Sequence, residues 1–142
     1  MQSLPPAHHT TFEQVSAFIF DCDGTLIDSA PLYAKAWGAS FNEVGYPFEE
    51  SWYRARSGLS EDILIQCFET DFKTPCDKDA LVRGMREKYL AELTSLQEIT
   101  LIANVARAAK GKIPAAVASG GLAPLSSLLF YSSVFKRYST RL

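Results

Sequence analysis

The stretch FIFDCDGTLIDSAP, Phe18 to Pro31, decides the fold. Three apolar residues run into two aspartates one residue apart, then Gly, Thr and a return to hydrophobics. A short apolar run that stops at turn residues is the pattern of a strand buried in a parallel sheet. Residues 17–20 are therefore read as the first strand. Downstream, Ser29 and Pro31 supply an N-cap and an early helical proline, with Asp28 as a helix-start acid, and Leu32, Ala36, Ala39 and Val44 carry a helix toward Gly45. Further helices are expected near 48–56, 61–70 and 78–94, with Ser60 and Asp77 as caps and no strand among them. Ile99, Ile102, Ala103, Ala106 and Ala109 then repeat at helical spacing up to Gly111, and IPAAVAS reads as a second buried strand ending at Ser119. The order is strand, long helical insert, helix, strand, which is an α/β plan.

Composition sets the bounds. With 142 residues, 47% hydrophobic and 21% charged, the chain matches one soluble globular domain. No run approaches the roughly 18 apolar residues of a membrane span, and MQSLPPAHHTTFEQ lacks a basic start followed by an apolar block. A cytoplasmic protein without a membrane partner is expected. Cys22, Cys67 and Cys76 make no CxxC pair, so free reduced thiols are expected. Residues 1–14, with two prolines and His8-His9, read as a flexible leader. The net charge of −2 hides an asymmetry, because all sixteen acidic residues lie at or before Glu98. Arg107, Lys110 and Lys112 fall at a helix C-terminus, where cations oppose the dipole, so no nucleic-acid partner is inferred.

In an open parallel sheet, ligands bind beyond the carboxyl ends of the strands. Both marked sites, Asp21 to Thr25 and Ser119 to Gly121, fall there. A carboxylate at a strand end can attack phosphorus and form an aspartyl phosphate, but an anionic substrate calls for a hard cation with oxygen ligands, which magnesium is. A second carboxyl two positions on can protonate the leaving oxygen and later take a proton from water. Gly24 permits the sharp turn, and Ser119 with the Gly120 amide offers donors to phosphate oxygens.

DCDGTLIDS followed far downstream by VASGG resembles the haloacid dehalogenase superfamily, in its branch of small phosphatases and β-phosphoglucomutase-like proteins. The five fixed positions of D-x-D-G-T-L arise by chance with a probability on the order of 10⁻⁵ to 10⁻⁴ in a chain of this length. The resemblance covers about residues 17–125. It implies a partial Rossmann-like core of parallel strands, 15–29 and 95–142, with a helical cap and its hinge inserted at 30–94. It implies Asp21 as nucleophile and metal ligand, and Asp23 as general acid/base whose backbone carbonyl also reaches the Mg2+. Thr25, Ser119 and Gly120 would bind phosphate, and Gly58 and Ser60, in RSGLSED, fall where relatives place a substrate-contacting cap loop. The implied substrate is a small phosphorylated metabolite, with a sugar phosphate as the branch-level expectation. Arg54 and Arg56 are read as solvated rather than substrate-binding, and Cys22 as packing.

Departures from the pattern shape the expected activity. Tyr33 stands where β-phosphoglucomutase carries a histidine, and Glu61 replaces a cap-loop arginine, so hydrolysis is favoured over phosphoryl transfer within a sugar. The family's third-motif lysine and fourth-motif carboxylates have no counterpart: Lys136 follows Ser119 too soon and no acid follows Glu98. The expectation is a truncated, alternatively spliced or frameshifted product with weak magnesium binding, impaired turnover and poorly covered apolar faces at Phe18, Phe20 and Val117. The alternatives are a phosphomutase, a non-catalytic binding or regulatory fragment of the same fold, and, less favoured, a receiver-type phosphoacceptor, which lacks a cap-sized insert.

Overall fold

The computed structural model describes residues 15–119. The leader at 1–14, Gly120 and the serine-rich end lie outside the described residues. In chain order the elements are β1 (Phe18–Asp21), β2 (Ile27–Asp28), α1 (Ala30–Glu43), α2 (Glu50–Arg54), α3 (Glu61–Phe72), α4 (Lys78–Ala91), β3 (Gln97–Glu98), α5 (Thr100–Ala109) and β4 (Ala115–Ala118). The fold is mixed α/β, with β1 and β4 paired in parallel, Phe18 opposite Ala115 and Asp21 opposite Ala118. That register sets Asp21 and Ser119 at the same end of two neighbouring strands.

Two apolar clusters form. The smaller joins Phe20, Leu26 and Ala106, with Phe18, Ile102, Val105 and Val117 against them. Ala103, Ala106 and Ala109 of α5 are fully buried, and these small side chains let the helix lie close on the strands. Phe20 is buried in this cluster, better covered than expected, while Phe18 and Val117 are only half-buried beside it. Ile19 is the residue left out, 77% exposed on the opposite face of β1, so β1 is covered on one face instead of both.

The larger cluster gathers α1 to α4 around Phe41, Phe68, Leu81, Met85 and Tyr89. Phe68 lies 4.5 Å, centroid to centroid, from both Phe41 and Phe72, and Trp52 meets it edge-on at 5.5 Å. Each such ring contributes about 1.5–3 kcal/mol by burial. Helix α1 packs chiefly on α4, and the Lys35–Glu92 and Lys88–Glu43 ion pairs flank that seam.

Local signals explain most boundaries. Helix α1 ends in a Schellman turn, with Tyr46 N–H donating to Phe41 O and Gly45 N–H to Asn42 O, while Gly45 takes φ +81°. Ser60 and Asp77 cap α3 and α4 through Ile63 N–H and Ala80 N–H, as expected. Ser29 does not cap α1: it sits in the αR region without a side-chain cap bond and is 2% exposed. Asp28, expected at a helix start, lies instead in β2. That strand pairs antiparallel with β3, Ile27 opposite Glu98 and Asp28 opposite Gln97, so two short strands flank the helical segment that was read as free of strands. Helix α2 is shorter than expected because Glu49 remains extended.

Gly84 marks the tightest point between α1 and α4. A Cβ there would lie 2.7 Å from Ser40 Oγ, and that buried hydroxyl donates to Leu81 O at 2.7 Å. Gly→Ala in a helix interior ordinarily gains about 1 kcal/mol. Here the clash and the lost buried hydrogen bond outweigh the gain, and Gly84→Ala should lower stability by about 1–2 kcal/mol. Urea unfolding checks this, and a raised midpoint would refute the packing. Among the described residues, no helix is long and apolar enough to cross a membrane.

Candidate active site

The loop after β1 is built on the carbonyl of Cys22, which accepts hydrogen bonds from the amides of Leu26 at 2.9 Å and Ile27 at 3.1 Å. Gly24 N–H closes the turn on Ile27 O at 2.8 Å. Gly24 takes φ +73°, a conformation costly for any residue with a Cβ. Cys22 itself is 1% exposed; burial, then the Asp23 and Asp21 carboxylates, push its thiol up to about 11. It is a packing residue, as expected, and all three cysteines are free.

The turn presents the two aspartates differently. Asp21 is exposed at the end of β1, with Thr25 Oγ1 donating to its Oδ2 at 3.0 Å. Asp23 is half-buried, with Ser119 Oγ donating to its Oδ2 at 3.1 Å from the end of β4. Asp23 Oδ1 is buried and has no hydrogen-bond partner among the described residues. A buried oxygen left so costs about 1–3 kcal/mol, which makes it the feature of the loop most in need of a proton, a cation or a ligand.

Above the loop lies a cleft of about 780 Å³. Asp21, Asp23 and Gly24 form one end; Ser57, Gly58 and Ser60, between α2 and α3, and Glu61 at the start of α3 form the other. Tyr33, Trp37 and Tyr53 contribute aromatic walls, and burial beside Tyr33 pushes the Tyr53 hydroxyl up to about 12. Asp21, Asp23, Gly58 and Ser60 thus meet in one cavity, while Thr25 and Ser119 join it through their bonds to the aspartates. Gly58 stands at φ +91° and Ser60 doubles as the α3 cap, so their local structural roles coexist with a place on the cleft. Arg54 is not on the cleft and pairs with Glu50 at 2.5 Å.

Arg56 does line the cleft, contrary to the reading of it as solvated. It is held from three sides, by Asp71 at 2.7 Å, Trp52 O at 3.0 Å and the Trp52 ring 4.6 Å below its guanidinium. Arg86 was not singled out from sequence. It reaches the cleft from α4 and forms a two-pronged pair with Glu61, Nε to Oε1 at 3.2 Å and Nη2 to Oε2 at 2.8 Å. Its only sequence signal is a basic residue next to a buried helical position, Met85, which many solvated arginines share.

Among the described residues, four carboxylates, of Asp21, Asp23, Glu61 and Asp62, line this cleft against two guanidinium groups already engaged. An anion entering it meets net negative charge, and a hard cation would reverse that locally. The donors fit such a cation: Asp21 offers an exposed carboxylate, and the Asp23 backbone adds a carbonyl oxygen in the same loop. Among the described residues, no group of three or more His, Cys, Asp or Glu side chains converges as a metal cage.

Over 127 residues the chain is 24% identical to fructose-1-phosphate phosphatase YqaB of Escherichia coli, covering 89% of this chain and 68% of that protein. A hydrolase from Pseudomonas syringae superposes with a TM-score of 0.68 at 17% identity, over 87% of this chain and 57% of its own. CbbY from Rhodobacter sphaeroides, solved in complex with phosphate, gives 0.64 at 21% identity, over 86% and 58%. The chain therefore spans little more than half the length of these solved structures. Residues 15–128, including both strand ends and the whole cleft, match one family, and the chain belongs to the haloacid dehalogenase-like hydrolases.

Proposed function

We propose that the chain is the nucleophile-bearing part of a cytoplasmic phosphatase that hydrolyses a small phosphoester, a sugar phosphate, through a phosphorylated Asp21. The observation that carries this is the pair of strand-end bonds. Thr25 holds one oxygen of Asp21 and leaves Oδ1 to attack, while Ser119 orients Asp23 and leaves its buried Oδ1 to carry a proton. In the first half-reaction, an Asp21 oxygen bonds to phosphorus, the ester P–O bond breaks, and Asp23 gives its proton to the departing alkoxide. In the second, Asp23 takes a proton from water, the water oxygen bonds to the same phosphorus, and the Asp21 carboxylate leaves with phosphate as product.

Asp21, through its carboxylate, and Asp23, through its backbone carbonyl, are the residues that would hold magnesium, and the ion would supply neutralisation of phosphate charge. Residues 30–94 act as a cap over the strand ends, with Gly58 and Ser60 on its substrate-facing loop and Thr25, Ser119 and Gly120 serving the phosphate. The relative from E. coli, itself a phosphatase of a sugar phosphate, supports the substrate class.

The test is phosphate release from a panel of sugar phosphates by the purified chain with magnesium. Weak release at most, abolished by a chelator, is expected, because the third-motif lysine and fourth-motif carboxylates have no counterpart in the chain. Isomerised sugar phosphate without free phosphate would make it a mutase, and binding without turnover would make it a binding module.

A further inference from the structure

We propose that Glu61, by holding Arg86 in its two-pronged pair, sets the cleft to accept phosphoesters whose remaining part is uncharged and to reject those bearing a second anionic group. This rests on the phosphatase reading of the cleft and adds which phosphoester it takes. The strand-end aspartates can serve only one phosphate. Whatever else the substrate carries must lie toward the far end, and there, among the described residues, the cations lining the cleft are Arg56 and Arg86.

Both are already engaged by carboxylates of the chain itself. Arg56 is pinned by Asp71 and stacked on Trp52. Arg86 spends two of its donors on the two oxygens of Glu61, and the Glu61 side chain is the more buried partner, 26% exposed against 46%. The fork geometry matches a carboxylate end-on, so a substrate carboxylate or second phosphate would compete with a group already in place. Asp62, next to Glu61, adds a further negative charge. An uncharged, hydroxyl-rich remainder meets no such penalty. It finds the Ser60 hydroxyl, the carboxylate of Glu61 as an acceptor and the ring of Tyr33 as an apolar wall. Glu61 is thus a positioning residue that acts through Arg86.

The experiment measures equilibrium binding by calorimetry, with magnesium present, of fructose 1-phosphate and fructose 1,6-bisphosphate to the full chain and its variants. The unsubstituted chain should favour the monophosphate at least tenfold. Glu61→Gln should release Arg86 and shift the ratio toward the bisphosphate by about tenfold, and adding Arg86→Gln should remove that shift. A Glu61 role confined to stability would lower all affinities together and leave the ratio unchanged, which overturns the proposal. So does equal affinity of the unsubstituted chain for both ligands, or binding of neither. Selective binding without any phosphate release would support the preference while removing the phosphatase reading, so the two fail separately.

Discussion

In a form of the protein that turns over, replacing Asp21 by Asn should reduce phosphate release by on the order of 10³-fold or more. The amide keeps the shape of the carboxylate and still presents an oxygen to Thr25 Oγ1, now 3.0 Å away. It loses the negative charge that attacks phosphorus and the anionic oxygen suited to a hard cation. Because Asp21 is exposed at the end of β1, the fold should be little affected, within about 0.5 kcal/mol. Steady-state assay and thermal unfolding of the same preparation check both halves. Substantial turnover in Asp21→Asn would remove the residue from the chemistry.

For Asp23→Asn the expected signature is different. Turnover should fall by roughly 10²–10⁴-fold, the usual contribution of a positioned proton donor and acceptor. Binding of a phosphate analogue should change only a few-fold, because proton transfer serves the transition state and not the ground state. Asp23 Oδ1 makes no hydrogen bond among the described residues, so an amide NH2 in that place brings donors that cannot be given up. Ser119 Oγ can keep its bond to the remaining oxygen. The check is a comparison of turnover with the dissociation constant of the analogue, and an equal loss of both would assign Asp23 to binding alone.

Much of this site was legible because its signals are local. The Asp21 to Thr25 loop is contiguous, its glycine is required by a positive φ, and β4 announces itself as an apolar run that stops at Ser119. Caps at Ser60 and Asp77 were readable because an N-cap bonds an amide only three residues on. Ser29 carried the same signal and misled: it is buried and already in the αR region, where an N-cap is ordinarily extended, and its side chain makes no cap bond. The β2–β3 ladder was not legible. Two residues on each side make no period, and their partners, Ile27 and Glu98, lie far apart in sequence. The Arg86–Glu61 pair failed for the same reason: it joins α3 and α4 through packing, and nothing in either segment names the other. The exposed Ile19 shows the limit of an apolar run as evidence, since it does not tell one covered face from two.

The β2–β3 ladder gives the helical segment an unusual kind of independence. With Asp28 hydrogen-bonded opposite Gln97, the chain departs and returns at the same place, so everything between is a closed excursion whose length and content are invisible to the strand ends. Its apolar cluster draws on α1 to α4 and shares no residue with the cluster under β1 and β4. A graft of a different excursion onto the same two-rung clasp would exchange the far wall of the cleft, with Arg86 and Glu61, and leave Asp21, Asp23 and Ser119 where they are. In such an architecture, the far wall of the cleft can diverge quickly among descendants while the strand-end groups proposed to react are inherited unchanged.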